Sequence, residues 1–124
     1  MTRYKSQGFN NTFKNARKGF NLAVKSEINI RIHVTVAIFV LLFAYYLNFS
    51  AVEYCCLLFA IAQVICCEML NTAIEFALDS IYHNRYSRMV GMAKDISAGA
   101  VMFATFISIV VGLILFGRKI LPLF

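Results

Sequence analysis

The sequence predicts an all-α membrane protein: three transmembrane helices preceded by an N-terminal amphipathic surface helix. Three observations predict it. The chain is 60% hydrophobic and 15% charged, with a mean hydropathy of +0.72, whereas soluble domains are about 45–50% apolar and about 25% charged. It contains three long apolar stretches, and its basic residues gather before the first of them and between the second and third. With 124 residues and one proline it reads as a single domain, 1–124. A water-soluble fold of this size could not hide so much apolar surface, so the excess faces lipid or partner subunits.

The surface helix comes first, at about residues 6–27. At helical pitch Phe9, Phe13, Ala16, Phe20, Ala23 and Val24 form one stripe, and Lys14, Lys18, Asn21 and Lys25 face the other way. Such a helix lies in the membrane interface, with its phenylalanines in the acyl boundary and its lysines against anionic headgroups. The spans follow at about 32–49, 53–75 and 95–117. Each approaches or meets the roughly 20 residues needed to cross a bilayer, and lipid offers backbone groups no partners, which demands helix. The short link at Asn48–Glu53 makes the first two spans a hairpin.

Charge sets the expected topology. Seven basic residues, Arg3, Lys5, Lys14, Arg17, Lys18, Lys25 and Arg31, precede the first span, with Glu27 as the one acid. The hairpin link has no base and one acid, Glu53, while Arg85, Arg88 and Lys94 lie between the second and third spans. The positive-inside rule puts the N-terminus and the second loop in the cytoplasm. Arg118 and Lys119 at the far end oppose the rule mildly. The first 31 residues show no cleavage site after an apolar core, so the first span is expected to stay in the mature protein.

Small residues recur along the third span at Ala93, Ser97, Ala100, Ala104, Ser108 and Gly112. Small side chains let helices approach closely in lipid. Three spans hardly enclose a polar site alone, and a homo-oligomer is expected, with packing inside one subunit as the alternative use of this stripe. The adjacent pairs Cys55-Cys56 and Cys66-Cys67 have no histidine beside them and read as small packing residues, not a zinc site.

The chemistry lies in the segment from Glu68 to Asp79. Read as a helix, Glu68, Asn71, Thr72, Glu75 and Asp79 fall within roughly 100° of arc. One face is thus a ladder of three carboxylates, an amide and a hydroxyl that starts within the apolar region. An ionisable group at membrane depth costs about 2.5–3.5 kcal/mol or more and is functional by default. Three carboxylates on one face also repel one another, so something positive belongs among them: Lys94 or a hard divalent cation such as Mg2+. Glu27 ends the phenylalanine stripe at similar depth and could join Glu75 on such a cation; a surface salt bridge to Arg31 is the plainer use of it. The glycines are scattered, with no GxxxxGK[ST] loop and no GxGxxG fingerprint. From the carboxylates alone, a non-enzymatic cation-conducting membrane oligomer is also open.

Glu68-Met-Leu-Asn-Thr-Ala-Ile-Glu75, followed by Ala93-Lys94-Asp95-Ile96-Ser97-Ala98-Gly99-Ala100-Val101, resembles the signature of the bacterial integral-membrane diacylglycerol kinase and undecaprenol kinase family. Lys18-Gly19 and the run Ser26-Glu27-Ile-Asn-Ile-Arg31-Ile-His33 share in the resemblance, which covers nearly the whole chain. It implies a lipid kinase of the bacterial cytoplasmic membrane, a homotrimer with active sites shared between neighbours. By the same resemblance, Glu68 looks like the catalytic base and Asn71 like the residue that positions the phosphates and the base. Glu27 and Glu75 look like the Mg2+ ligands, and Asp79, Lys94 and Asp95 like contacts to ATP. The loop from Asp79 to Lys94 is one residue longer than the family pattern, so the family tyrosine matches Tyr86 counting back from Lys94, or Tyr82 counting the other way. Asn15 stands where some members carry an aromatic residue. The Arg31-Ile-His33 pattern resembles the branch that phosphorylates undecaprenol; the branch that phosphorylates diacylglycerol, making phosphatidic acid, tends to carry an acid at the position of His33. No nucleic-acid partner is expected.

Overall fold

The computed structural model describes residues 8–121 except Asn84 and Tyr86, and among these every regular element is helical. Four helices follow in order: α1 (Phe9–Ser26), α2 (Ile28–Tyr46), α3 (Ala51–Tyr82) and α4 (Arg88–Ile120). The last three are long and apolar enough to cross a membrane. α3 is the central element, packed against α4 most extensively, then against α2 and α1.

The buried positions explain how the helices meet. Ile30, Ala37 and Ala44 on α2, and Val90, Ser97 and Ala104 on α4, recur every seven residues. On α3 the buried stripe is Leu57, Ala60, Val64, Glu68 and Thr72. A seven-residue repeat keeps one seam facing its neighbour with a left-handed crossing, and small residues in it allow close approach. Most large apolar side chains point outward, Phe39 and Phe103 being about two-thirds exposed, as lipid or a neighbouring subunit requires.

The hairpin end is closed by local chemistry. α2 ends because Asn48 takes a left-handed conformation (φ 59°), which asparagine tolerates. Phe49 N–H then donates to the Ala44 carbonyl and Asn48 N–H to the Tyr45 carbonyl, both 3.1 Å, the pattern that satisfies the last orphan carbonyls of a helix. α3 starts at once with a reciprocal cap: Ser50 N–H donates to Glu53 Oε1 (2.9 Å) and Glu53 N–H to Ser50 Oγ (3.3 Å). The turn drives Phe49 inward, 7% exposed, beside Ala44 and Leu57 and onto Phe116 of α4 at 4.9 Å between ring centroids. Lys119 of α4 completes the closure through Glu53 Oε1 (3.2 Å) and the Asn48 carbonyl (3.1 Å). A basic residue at this end, which opposed the charge rule, is therefore paired.

The structure adds to the sequence expectations at five points. The first helix, expected at about 6–27, ends at Ser26, and α2, whose span is expected at about 32–49, is helical from Ile28 to Tyr46, where Asn48 breaks it. α3 and α4 extend well past 53–75 and 95–117, since hydropathy marks only the apolar part of a helix that continues beyond it. Ser97 and Ala104 of the small-residue stripe are buried within the chain itself, so they serve packing inside the subunit. The four cysteines are free thiols, with Cys55, Cys56 and Cys66 on the outer surface of this chain and Cys67 partly buried.

Truncating Phe49 removes the plug shared by α2, α3 and α4. Phe49→Ala is expected to lower stability by about 3 kcal/mol, read as the midpoint of unfolding from mild detergent into dodecyl sulfate. Phe39→Ala, on the outward face, should cost less than about 0.5 kcal/mol.

Candidate functional site

The polar ladder of α3 continues its own apolar core stripe. Leu57, Ala60 and Val64 are followed on the same face by Glu68 and Thr72, all buried. At about 1.5 Å per residue, Glu68 lies roughly 26 Å along α3 from Ala51, close to the roughly 30 Å thickness of a bilayer's hydrocarbon core. Glu75 and Asp79 stand roughly two and three turns further on, at the end of the molecule away from the hairpin.

Each ladder residue has its own partner. Glu68, 6% exposed, places Oε1 3.3 Å from Nε2 of His33 on α2. Asn71 Oδ1 is 2.6 Å from the hydroxyl of Ser97 on α4, which also lies 3.0 Å from the Lys94 carbonyl. A hydroxyl has one proton to give, and the shorter distance assigns it to Asn71. With Oδ1 accepting, the amide turns Nδ2 toward Glu75 Oε1 at 3.4 Å. Asp79 Oδ1 pairs with Lys94 Nζ at 2.7 Å. The carboxylates that would repel one another are thus answered separately by an imidazole, an amide and an ammonium.

Glu27 is the single non-helical residue between α1 and α2, with extended backbone (φ −121°, ψ 119°). The salt bridge to Arg31 does not form. Arg31 instead reaches back to the Lys25 carbonyl at 3.1 Å, satisfying a carbonyl that α1 leaves open at its end. The half-buried Glu27 carboxylate forms no ion pair with a described residue. Asp95 is exposed beside Lys94. Tyr86 lies outside the described residues; Tyr82 ends α3, partly exposed. Among the described residues no three of His, Cys, Asp and Glu converge as a ready-made metal cage.

A groove of about 710 Å3 opens between α2 and α4, floored by α3. Its walls are largely apolar, with Val36, Val40, Ile61, Val64 and Ile109 among them, and His33 lines it where it approaches Glu68. The apolar groove therefore reaches His33, which lies against the buried Glu68 carboxylate, and the polar ladder continues along α3 from there. Sequence reasoning gave no role to two residues here. Ser97 was read as a small packing residue and His33 as part of a resemblance. Their signal is positional: Ser97 follows Lys94 by three residues on one helix face, and His33 is a polar residue inside an apolar stretch.

Residues 14–116 match the prokaryotic diacylglycerol kinase family. The undecaprenol kinase of Bacillus subtilis (strain 168) is 31% identical over 112 residues, 90% of both chains. The diacylglycerol kinase of Synechocystis sp. (strain ATCC 27184 / PCC 6803 / Kazusa) is 32% identical over 101 residues, 82% of this chain and 58% of its own length.

The polar contacts differ in what they hold. Lys94 and Asp79 are each over a third exposed, so Asp79→Asn or Lys94→Met should change stability by less than about 1 kcal/mol. Ser97→Ala strips a partner from Asn71 in a buried setting and should cost about 1–2 kcal/mol. Detergent unfolding midpoints rank the three variants; equal effects would contradict this assignment.

Proposed function

Because the chain belongs to the prokaryotic diacylglycerol kinase family and is a lipid kinase, we propose that it transfers the γ-phosphoryl group of ATP to the hydroxyl of undecaprenol, yielding undecaprenyl phosphate at the cytoplasmic face of a bacterial inner membrane. The observation that supports this reading is the position of Glu68, a buried carboxylate at the head of a polar ladder and 3.3 Å from His33, which lines an apolar groove. The lipid alcohol comes from the bilayer along the groove, and ATP comes from water onto the ladder.

Glu68 accepts the hydroxyl proton. The lipid oxygen then forms its bond to the γ-phosphorus as the bond from that phosphorus to the β–γ bridging oxygen breaks, and ADP leaves with the electron pair. Little covalent work falls to the protein in such a transfer; positioning and charge neutralisation supply most of the rate. Asn71, its amide set by Ser97, aligns the phosphates and the base. Lys94, with Asp79 and Asp95, contacts the nucleotide, and Tyr86 is assigned to its adenine side.

The donor set fits Mg2+. That ion takes oxygen ligands, often one or two carboxylates, and keeps positions for water and substrate phosphate. Glu75 has one oxygen held by Asn71 and a second to offer, and Glu27 lies at the hinge where α1 and α2 meet near α3. These two would hold the metal, which neutralises phosphate charge when bound. Zinc would favour nitrogen and sulfur ligands, which the ladder lacks.

Undecaprenol is preferred over diacylglycerol as acceptor because the similarity to the undecaprenol kinase spans 90% of that enzyme, against 58% of the diacylglycerol kinase. The homotrimer, the interfacial seat of α1 and a cytoplasmic N-terminus belong to the same proposal. Exposed Phe9, Phe13 and Phe20 supply the apolar face that α1 would sink into the interface.

Glu68→Gln keeps the shape and loses the base. Its turnover is expected to fall by about 100-fold or more, measured as labelled phosphate passing from ATP to undecaprenol in lipid vesicles, with the oligomer unchanged on gel filtration. In the same assay, chelating Mg2+ should abolish transfer, and Glu75→Gln should raise the Mg2+ concentration for half-maximal rate. Faster turnover of diacylglycerol than of undecaprenol would reverse the choice of acceptor while leaving the site assignment intact.

A further inference from the structure

Glu68 meets one other side chain at its carboxylate, and that contact is not a ladder contact. His33 stands on α2, one side chain into the groove, with Nε2 3.3 Å from Glu68 Oε1; the two side chains are 28% and 8% exposed. Helical side chains lean toward the N-terminus of their own helix. α2 and α3 form a hairpin, so His33 leans away from the hairpin end and Glu68 leans toward it, and the two tips converge between the helices. The groove's other polar lining is hydroxyl, Thr105 and Ser108 on α4; His33 is the lining residue that lies against the Glu68 carboxylate.

We propose that His33 is a positioning residue for the acceptor base. Its Nε2–H donates to Glu68 Oε1, which fixes the carboxylate's orientation and leaves Oε2 as the oxygen that faces the incoming hydroxyl. Neutral imidazole has one N–H and one bare nitrogen, so this contact also fixes the tautomer, with Nδ1 unprotonated. A glutamate has three torsions to settle. Without a donor at Oε1, a carboxylate removed from water turns to whatever polar group it can reach, since a buried unpaired charge is costly. The inference rests on Glu68 being the base, and it assigns to His33 no bond made or broken.

The test uses the full chain in lipid vesicles. His33→Leu removes the donor and is expected to lower kcat about tenfold or more with little change in the KM for ATP, whose contacts lie on the ladder. His33→Gln retains an N–H at similar reach and should recover most of the loss. A second readout needs no turnover. The chain has two histidines, and the other, His83, is exposed in the α3–α4 loop, so 15N-histidine NMR resolves His33. Its Nε2 should carry the proton, and its resonances should move in Glu68→Gln while those of His83 stay. Unchanged kcat in His33→Leu, equal loss in the Gln and Leu variants, or a His33 signal indifferent to Glu68→Gln overturns the proposal. Should the unaltered protein phosphorylate no lipid while His33 still responds to Glu68→Gln, the pairing stands and the choice of reaction falls.

Discussion

Placing a carboxylate on the core-facing stripe of a membrane helix is the constraint around which this molecule is arranged. Glu68 follows Leu57, Ala60 and Val64 on one line of α3, so it cannot turn to solvent without unseating the stripe. Burial of a charge is tolerated only with a partner and hydrogen bonds. That requirement draws a polar residue into the apolar surface of α2, at His33, and places it within 3.3 Å. Further along α3 the demand weakens as exposure rises, and the partners become an amide for Glu75 and a half-exposed ammonium for Asp79. The gradient from buried to exposed along a single helix is what lets one face meet a lipid at one end and a charged, water-borne molecule at the other.

The opposite end of the bundle supplies the rigidity that such a gradient needs. Asn48 in the left-handed region, the Ser50–Glu53 cap, the Phe49 plug and the Lys119 tie all lie within one turn of the hairpin. Phe43 and Phe116 stack there at 5.3 Å between centroids, joining α2 directly to α4. Elsewhere α2 and α4 are held through α3, the element both of them pack on. The groove starts beside that closure, at Phe116 and Leu57, and runs along the bundle to His33 near the start of α2.

Much of this was legible in the chain, and the reasons differ by element. Three spans could be read because hydropathy needs no tertiary information. The ladder could be read because five polar residues at helical spacing define a face wherever the helix sits. The ends of the helices could not, since α3 and α4 continue as helix past their apolar parts, and hydropathy is blind to that. The Ser50-to-Glu53 spacing was a visible capping signal that would have set the start of α3. Arg31 illustrates the harder case. Four residues after Glu27 it reads as an ion-pair partner, yet the chain breaks at Glu27 and the guanidinium turns to the Lys25 carbonyl. Only the backbone angle at one residue decides between the two. Ser97 and His33 were hidden for a related reason: each matters through a residue on another helix, and spacing within one helix carries no information about that.

The same break at Glu27 ties electrostatics to the site. Of the ten basic residues among those described, all but Arg118 and Lys119 stand on α1, near the start of α2, or in the α3–α4 loop and the first turns of α4. These segments adjoin the end of the molecule that carries the ladder. Five of the six acids are there as well, Glu53 being the exception, so among the described residues this end holds eight positive charges against five negative. Glu68 is buried and Glu27, Glu75 and Asp79 are partly buried, whereas Asp95 and the bases of α1 are exposed. A polyanion approaching from water therefore meets a positive exterior before it meets the carboxylates, and summed surface charge of this kind raises encounter rates in proportion to its reach through salt. On the proposed reading, the carboxylates would need a cation between themselves and a phosphate, and arrival of the nucleotide together with a metal would be the electrostatically favoured order. Had Arg31 paired with Glu27, one of the two carboxylates assigned to that metal would already be neutralised. The turn of Arg31 toward Lys25 keeps it in play.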